Sequence, residues 1–371
     1  MKLTRRSSLS LMAGAALAMP YINRARAEEE AVLNVYNWTD YIGKTTIEDF
    51  QSATGIQVTY DLYDSTEAME AKMLAGSSGF DVVIQAGSTL ERFVEAKVYQ
   101  VLDRSKLTNY GNLDPVSLKT IEGWDPGNRY GVPYMWGTVG LTFNLDMVKE
   151  RIPDANLKSL DIIFKPENAA KLADCGISIL ESPADVVPMM LAYLGKDPNT
   201  TNPADFDEVV KAFAPIRQYI RAFDASNYLN TIPNKELCVI NNWSGDYATA
   251  NARAKEAGIN LNLAYMVPET GAPAWFDIWC IPADAKHVDN AHKFINYLLQ
   301  PEIIAKCTNF TNYANANLAA NKFVDPAILA DPAVYPDDEL KKRLWTEKTL
   351  SSDLERARTR AWSTIKTGSP S

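Results

Sequence analysis

Apolar and polar positions follow two different periods along the chain from about residue 32 onward. Alternation over residues 32–36, 56–63 and 81–84 predicts strands, and helical spacing over residues 45–54 and 65–74 predicts helices between them. Ser65 is a suitable N-cap for the second helix, and Gly76 follows it as a terminator. Strands that alternate with helices predict a mostly parallel sheet, whose ligands bind outside the carboxyl ends of the strands.

A second section with the same alternation follows between about residues 140 and 246. It predicts helices over 167–172, 186–194 and 205–222 and a strand over 238–240. After this section the pattern predicts strands over 261–267 and around Trp275, and then helices over 290–299 and 301–308. We find no internal repeat or flexible linker. Two such sections predict an α/β protein of two lobes with a hinged ligand cleft, joined by crossings near residues 133–138 and 243–247.

The first 27 residues have the features of an export signal. Lys2, Arg5 and Arg6 precede a short apolar core, and residues 25–27 form an A-x-A cleavage sequence. The arginine pair leaves open whether export follows the twin-arginine route. No later run approaches the roughly 18 apolar residues of a transmembrane helix. We therefore predict an exported protein that is not embedded in a membrane.

The chain is acidic, with 46 Asp and Glu against 37 Lys and Arg and a formal charge of −9. The predicted signal carries five basic and no acidic residues, so the remainder carries −14. A negative surplus disfavours nucleic acid as a partner and favours cationic ligands. Because many exported proteins are acidic, charge alone selects no function.

Catalytic and metal-binding motifs are scarce. The chain has no phosphate loop, dinucleotide fingerprint, zinc-protease motif or nucleophile elbow. Its two histidines, His287 and His292, flank a predicted helix start, and we expect both to be solvated at the surface. We predict no cofactor, no metal and no catalysis, although a hydrolase built on two carboxylates stays open because sequence does not show their separation.

Four cysteines in an exported chain allow three disulfide pairings. Cys280 lies in an apolar run and is expected to be a buried thiol. Three pairs remain possible among the other cysteines, and of these we favour a disulfide between Cys175 and Cys238.

Three carboxylates are distinguished by aromatic neighbours. Asp40 follows Trp38, Asp246 follows Trp243, and Asp277 lies within an apolar, aromatic strand. Aromatic rings beside carboxylates are suited to holding a cation.

Asp277 is the most informative of the three. A carboxylate in an apolar strand must be paired, hydrogen-bonded or solvated. Alternation places it on one face with Trp275 and Trp279. A charged, aromatic face of this kind is unlike a core face, so we predict that it forms a wall of a ligand site.

The chain resembles the periplasmic putrescine/spermidine-binding proteins of polyamine ABC transporters. The matching stretches extend from Val35 to Lys366 and include YNWTDYI, GFDVVIQAGS, VPYMWGTVGLTFN, CGISILESP, WSGDY and RTRAWSTIK. The resemblance implies a cluster D solute-binding fold of two α/β lobes, residues 28–135 plus 247–305 and residues 136–246 plus 306–371. It also implies a monomeric periplasmic receptor that passes a linear polyamine to an inner-membrane ABC permease.

The resemblance also implies which residues bind the ligand. Asp246 and Asp277 would hold one ammonium, and Asp40 and Asp185, partly through water, would serve the other end. The complete implied set is Trp38, Thr39, Asp40, Tyr41, Ser88, Asp185, Trp243, Asp246, Trp275, Phe276, Asp277 and Tyr313.

Four departures from the family pattern leave the exact ligand open. Ala86 replaces a common serine, Asp185 replaces a common glutamate, residues 241–242 are asparagines in place of smaller residues, and Trp275 resembles the spermidine-preferring members. Putrescine, spermidine, cadaverine and agmatine remain candidates. The alternative is the same fold binding another small cationic or amino-acid-like solute, or ferric iron held by tyrosinates.

Overall fold

A computed structural model describes residues 29–368 of the chain, and its strands form one mixed sheet. The strands are β1 (Val32–Trp38), β2 (Gln57–Tyr63), β3 (Val82–Ala86), β4 (Gly131–Asn144), β5 (Ile177–Leu180), β6 (Ile220–Asp224), β7 (Val239–Trp243), β8 (Leu263–Met266), β9 (Ala272–Cys280), β10 (Ala314–Asn315) and β11 (Leu344–Trp345).

The α-helices lie between and beyond these strands. They are α1 (Thr46–Thr54), α2 (Thr66–Leu74), α3 (Gly87–Glu95), α4 (Pro115–Ile121), α5 (Leu145–Arg151), α6 (Asp161–Phe164), α7 (Pro166–Leu172), α8 (Pro183–Tyr193), α9 (Ala204–Phe213), α10 (Tyr228–Thr231), α11 (Asp246–Glu256), α12 (Val288–Leu298), α13 (Pro301–Thr311), α14 (Pro326–Leu329), α15 (Asp338–Lys341) and α16 (Ser352–Thr367).

The sheet has two halves that share its two central strands. Its order is β2-β1-β3-β9-β4-β7-β5-β6, with β8 and β10 paired to β4 and β11 paired to β9. We call β1, β2 and β3 the first half and β5, β6 and β7 the second half. Pairing within each half is parallel, whereas β4 and β9 run antiparallel to each other and to β7 and β3, and the short β11 pairs parallel with β9. The α/β fold with parallel strands is therefore confirmed.

Strand β4 crosses from one half to the other. Its residues from Gly131 to Thr138 pair with β9, and its residues from Val139 to Phe143 pair with β7. The crossing predicted near residues 133–138 thus lies inside one long strand. After Trp243 the chain stays in the second half, where α11 packs on β7 and β8. Strand β9, which pairs with β3, then returns the chain to the first half.

Each half buries its own hydrophobic core. The first half packs residues such as Leu33, Ile84 and Phe294 together, and Cys307 and Tyr313 belong to the same cluster. The core of the second half contains the apolar residues of β5, α8 and α9 and those of α16, including Trp362 and Ile365.

The helix predicted over residues 205–222 is wrong in its second part. Helix α9 ends at Phe213, and residues 220–224 form β6, which pairs with β5. Pro215 explains the early end, because proline has no amide hydrogen with which to continue the helical hydrogen bonds. The apolar residues after Pro215 match a strand as well as a helix.

The expectation of solvated histidines is also wrong. The ring Nδ1 of His287 lies 2.9 Å from a carboxylate oxygen of Asp81. His292 is 2% exposed and accepts a hydrogen bond of 2.9 Å from the Asp103 amide through Nε2. Both histidines therefore have structural partners.

The cysteines behave as expected. Cys175 and Cys238 form a disulfide with a sequence separation of 63 residues. It links the segment that follows α7 to the residue directly before β7. Cys280 and Cys307 are buried free thiols. The predicted export signal lies outside the described residues. Among residues 29–368, no helix combines the length and the apolar character needed to cross a membrane.

Candidate functional site

Strand β9 presents different side chains on its two faces. Phe276 and Ile278 pack on one face with the aromatic residues around Tyr36, and Trp279 packs on the other with Tyr134 and Phe294. Trp279 is 1% exposed, so the prediction that it shares a ligand-facing wall is wrong. The face is core at the Trp279 end of the strand.

Asp277 lies on that face, opposite Ala86 in the pairing of β9 with β3. It is 8% exposed, and no Lys, Arg or His among residues 29–368 forms an ion pair with it. Burial raises the pKa of Asp277 to about 7, and the negative charge of Asp185 adds to this rise while Tyr41 opposes it. A buried carboxylate without a cationic partner is a site for a cation from outside the protein.

Tyr41 supplies a hydroxyl close to this carboxylate. The ring is buried, and within the described part of the chain its hydroxyl oxygen has no hydrogen-bond partner at the usual distance. Burial, followed by the charge of Asp277, raises the pKa of Tyr41 well above its ordinary value. The neutral phenol can therefore donate to a carboxylate or accept from an ammonium.

Tyr313 connects the two halves of the sheet. Its ring makes edge contacts with Tyr41 at 5.7 Å and with Trp275 at 5.1 Å between ring centroids. Its hydroxyl donates a hydrogen bond of 2.5 Å to Asp246 at the start of α11. Five predicted site residues, including Asp277 beside Tyr41, are thus brought into one contiguous group.

Asp246 is the second carboxylate of this group. It receives hydrogen bonds from the hydroxyls of Tyr228 and Tyr313. Burial nevertheless raises the pKa of Asp246 to about 6, which the two tyrosines and Arg253 oppose. Its place as the first residue of α11 favours the charged form, because helix N-termini attract anions.

Asp185 is the third carboxylate, and it comes from the second half of the sheet. Its Oδ2 accepts hydrogen bonds from Ser182 at 2.7 Å and from the indole of Trp243 at 3.1 Å. Burial raises the pKa of Asp185, and Arg358 opposes this rise. The charge of Asp185 also adds to the raised pKa of Asp277. We refer to the surroundings of Asp185, Asp246 and Asp277 as the site region.

Three tryptophans border the region. Trp243 and Trp275 are partly buried and pack against the cores of both halves. Trp38 packs on Tyr63 with ring centroids 4.5 Å apart. Gly137 makes room for Trp275, because a Cβ atom there would lie 2.6 Å from the indole ring. Aromatic walls between carboxylates are therefore present.

Other predicted site residues lie elsewhere. Phe276 points to the opposite face of β9 and stacks on Trp136 at 5.7 Å. Asp40 is exposed and forms an ion pair of 3.2 Å with Arg253, and Thr39 beside it is exposed as well. Ser88 is partly buried in the first turn of α3, where its carbonyl accepts from the Thr349 hydroxyl.

Sequence reasoning missed three residues of this region: Tyr228, Glu347 and Arg358. Tyr228 donates to Asp246, and Arg358 pairs with Glu347 near Asp185. A signal for Arg358 existed, since it shares the helical spacing of Leu354, Ala361 and Trp362 on the apolar face of α16. Nothing in the local pattern marks Tyr228 or Glu347.

The region also differs from a metal centre. Within the part of the chain that the structure describes, no group of three or more His, Cys, Asp or Glu side chains is placed to hold a metal ion. The tyrosines of the region donate to carboxylates in their neutral form. This arrangement suits an organic cation better than a ferric ion, which needs tyrosinate ligands.

Two parallel half-sheets joined by shared antiparallel strands, with a polar aromatic region between their cores, define a two-lobed solute-binding protein. The chain belongs to the family of bacterial extracellular solute-binding proteins, whose model matches residues 45–336.

Relatives of known name cover nearly the whole chain. The putrescine-binding periplasmic protein SpuD of Pseudomonas aeruginosa (strain UCBPP-PA14) is 44% identical over 95% of this chain and 96% of its own. The putrescine-binding periplasmic protein PotF of Escherichia coli (strain K12) is 42% identical over 96% of this chain and 97% of its own.

A solved structure extends the comparison to the fold. The spermidine/putrescine ABC transporter substrate-binding protein PotD from Streptococcus pneumoniae matches with a TM-score of 0.76 and 27% identity, covering 91% of this chain and 99% of that one. The predicted resemblance and fold class are thereby confirmed.

Proposed function

We propose that this protein is an extracytoplasmic receptor that binds a linear polyamine, putrescine or spermidine, and delivers it to an ABC-type permease in the inner membrane. The observation that carries the proposal is Asp277, a buried carboxylate beside the Tyr41 hydroxyl that forms no ion pair with a Lys, Arg or His of residues 29–368. The names of SpuD and PotF support the same ligand class. The protein acts as a non-catalytic monomer in the periplasm, exported by residues 1–27.

One ammonium of the ligand binds at the Asp277 end of the region. Asp277 supplies a negative charge, and Tyr41 supplies a hydroxyl oxygen beside it. Asp246, which is hydrogen-bonded to Tyr313, supplies a second negative charge. Charge-assisted hydrogen bonds of this kind are stronger than neutral ones. The ammonium replaces the missing counter-ion and lowers the electrostatic cost of the buried carboxylate.

The other end of the ligand is held near Asp185, against Trp243. The methylene chain between the ends lies along the aromatic side chains, including Trp275, because alkyl groups gain from apolar contact. Asp40 has no direct part in this arrangement, since Arg253 neutralises it. Through its ion pair with Arg253, Asp40 connects the loop after β1 to α11.

The two halves of the sheet, with their helices, are proposed as the two lobes of a hinged receptor. Packing supports bounds of residues 31–133 plus 276–335 for one lobe and residues 139–266 plus 352–367 for the other. These bounds differ from the ones inferred from sequence, because α11 packs on the second half and Cys307 and Tyr313 on the first. Strands β4 and β9 connect the lobes, so a change of their twist can close the cleft.

A thermal-shift screen of the mature protein tests the ligand class. The screen contains putrescine, spermidine, cadaverine, agmatine, common amino acids and ferric citrate. A ligand at 100 times its Kd stabilises the native state by about 2.7 kcal/mol, so a tight ligand raises the midpoint clearly. A rise confined to di- or polyamines supports the proposal. A rise with an amino acid or ferric citrate, and none with an amine, contradicts it.

A further inference from the structure

A buried arginine lies beside the acidic region of the proposed site. Arg358 extends from the apolar face of α16 and is 5% exposed, and it is the one buried Lys or Arg among residues 29–368. Its guanidinium pairs with Glu347 and, at 2.7 Å, with Glu355, while its Nε has no hydrogen-bond partner. A buried cation needs compensation, so its partners determine what charge it presents to the cleft.

Glu347 is the buried partner of this arginine. Its side chain is 11% exposed, against 38% for Glu355. The backbone carbonyl of Glu347 accepts a hydrogen bond of 2.7 Å from the indole of Trp124, which packs in the same cluster as Tyr36 and Val83 of the first half. Asn199, after α8, binds the flanking amide of Lys348 at 2.8 Å. Contacts with both halves of the sheet therefore fix the position of Glu347.

The pair acts on the Asp185 end of the proposed site. The charge of Arg358 opposes the raised pKa of Asp185, and the charge of Asp185 contributes to the raised pKa of Glu347. Glu347 and Arg358 also line a polar pocket of about 250 Å³ that reaches Ser88 and Thr89 of α3. The geometry connects the pair to Asp185 as well. Helix α16, which carries Arg358, packs on α8, whose first turn holds Asp185, and the Trp362 indole of α16 donates a hydrogen bond of 3.1 Å to Glu181 just before α8.

We propose that Glu347 is a specificity-determining positioning residue, which offsets the charge of Arg358 so that the Asp185 end stays attractive to the second cationic group of the ligand. This inference rests on the proposed function, because it concerns the same cleft. Without Glu347, the positive charge of Arg358 opposes a cation at Asp185. The effect falls on ligands with two charged ends, since the Asp277 end is served by other groups.

The balance between these charges depends on pH. Burial raises the pKa of Glu347 to about 7, Arg358 opposes this rise, and Asp185 and Glu355 add to it. Protonation of Glu347 as the pH falls through about 7 therefore leaves Arg358 less compensated. The other charged side chains around the pocket are Arg92, Lys348 and Arg356.

Calorimetric titration with putrescine at pH 8.5 and pH 6 tests the inference with three variants. Glu347→Gln is expected to weaken binding about tenfold at pH 8.5, the scale for an uncompensated charge several ångströms from the ligand. At pH 6 the native protein also carries a largely neutral Glu347. The ratio of the putrescine affinity of the native protein to that of Glu347→Gln should therefore approach one at pH 6. The double variant Glu347→Gln with Arg358→Gln should bind within about threefold of the native protein at pH 8.5.

The matched control is Glu355→Gln, which removes the more exposed partner of the same arginine. It should change the affinity less than Glu347→Gln, because solvent screens that carboxylate. If Glu347→Gln does not fold, Arg358→Gln alone decides, and the inference expects it to bind putrescine at least as tightly as the native protein.

Several results would overturn the inference. Equal weakening in the single and double variants means that Glu347 acts by direct contact or through the fold. The inference also fails if the ratio of native to Glu347→Gln affinity is the same at pH 6 and pH 8.5. It fails as well if Glu347→Gln does not weaken binding at either pH. Failure of the native protein to bind any amine contradicts the proposed function instead.

Discussion

Two buried carboxylates of the first half of the sheet, Asp81 and Asp277, have opposite surroundings. Asp81 is 1% exposed and accepts backbone hydrogen bonds of 2.9 Å from Asn34, Lys286 and His287. Asp277 is 8% exposed and lies near one phenol and another carboxylate. Protein amides fully satisfy the first carboxylate, and the second is left for a partner from outside.

The difference separates structural from functional burial. A carboxylate that receives several backbone amides stabilises the segments that supply them, here β1 and the segment before α12. A carboxylate that keeps a raised pKa without a cationic partner destabilises the empty protein. When a cation binds next to such a carboxylate, this destabilisation of the folded protein is removed, and the difference contributes to the binding free energy.

Replacing Asp81 should give the largest loss of stability. Asp81→Asn removes the charge and faces an amide donor toward other donors, so the free energy of unfolding should fall by about 3 kcal/mol. Urea unfolding followed by circular dichroism measures the change. Asp61→Asn, at an exposed position of β2, is the control and should stay within about 0.5 kcal/mol of the native value.

The same substitution at Asp277 should have the opposite sign. Because the pKa of Asp277 is raised to about 7 in the folded protein, its cost appears as the pH rises from about 4 through 7. Asp277→Asn should therefore stabilise the empty protein by about 4 kcal/mol at pH 8 and leave it unchanged near pH 4. Equal stability of the two proteins at pH 8 would remove the contrast with Asp81.

Asp40 should give the smallest effect. It is exposed and paired with Arg253, and exposed ion pairs contribute about 0 to 1 kcal/mol. Asp40→Asn should change putrescine affinity by less than about 1 kcal/mol, and Arg253→Gln should behave alike. A loss as large as that expected at Asp277 would restore Asp40 as a direct ligand.

Much of the fold follows from the sequence because its periodicity is strong. The alternation over residues 32–36 and 56–63 gives β1 and β2, and Ser65 caps α2 as expected, with its hydroxyl accepting from the Ala68 amide. The error over residues 205–222 arises because a short apolar run after a proline has no distinctive period. Pairing with β5, which is remote in sequence, decided its structure.

The candidate site was predictable where a residue conflicts with its surroundings. Asp277 stands out in an apolar strand, and Trp243 and Asp246 stand out at a strand end. Phe276 lies on the face of β9 opposite to Asp277, which the motif alone could not show. Glu347 and Arg358 could not be paired from sequence, since a loop and a helix bring them together beside a third element, α8.

Calorimetric titration of putrescine into the native protein and Asp277→Asn tests the central claim most directly. Putrescine is a dication, and removal of its desolvated partner should weaken binding by more than about 2 kcal/mol, or roughly thirtyfold in Kd. Thermal unfolding of the empty variant should show that it is folded, so that loss of affinity reports on the contact itself. Unchanged affinity in a folded Asp277→Asn protein would contradict the account, because the ligand would then be held without the carboxylate that is proposed to bind its ammonium.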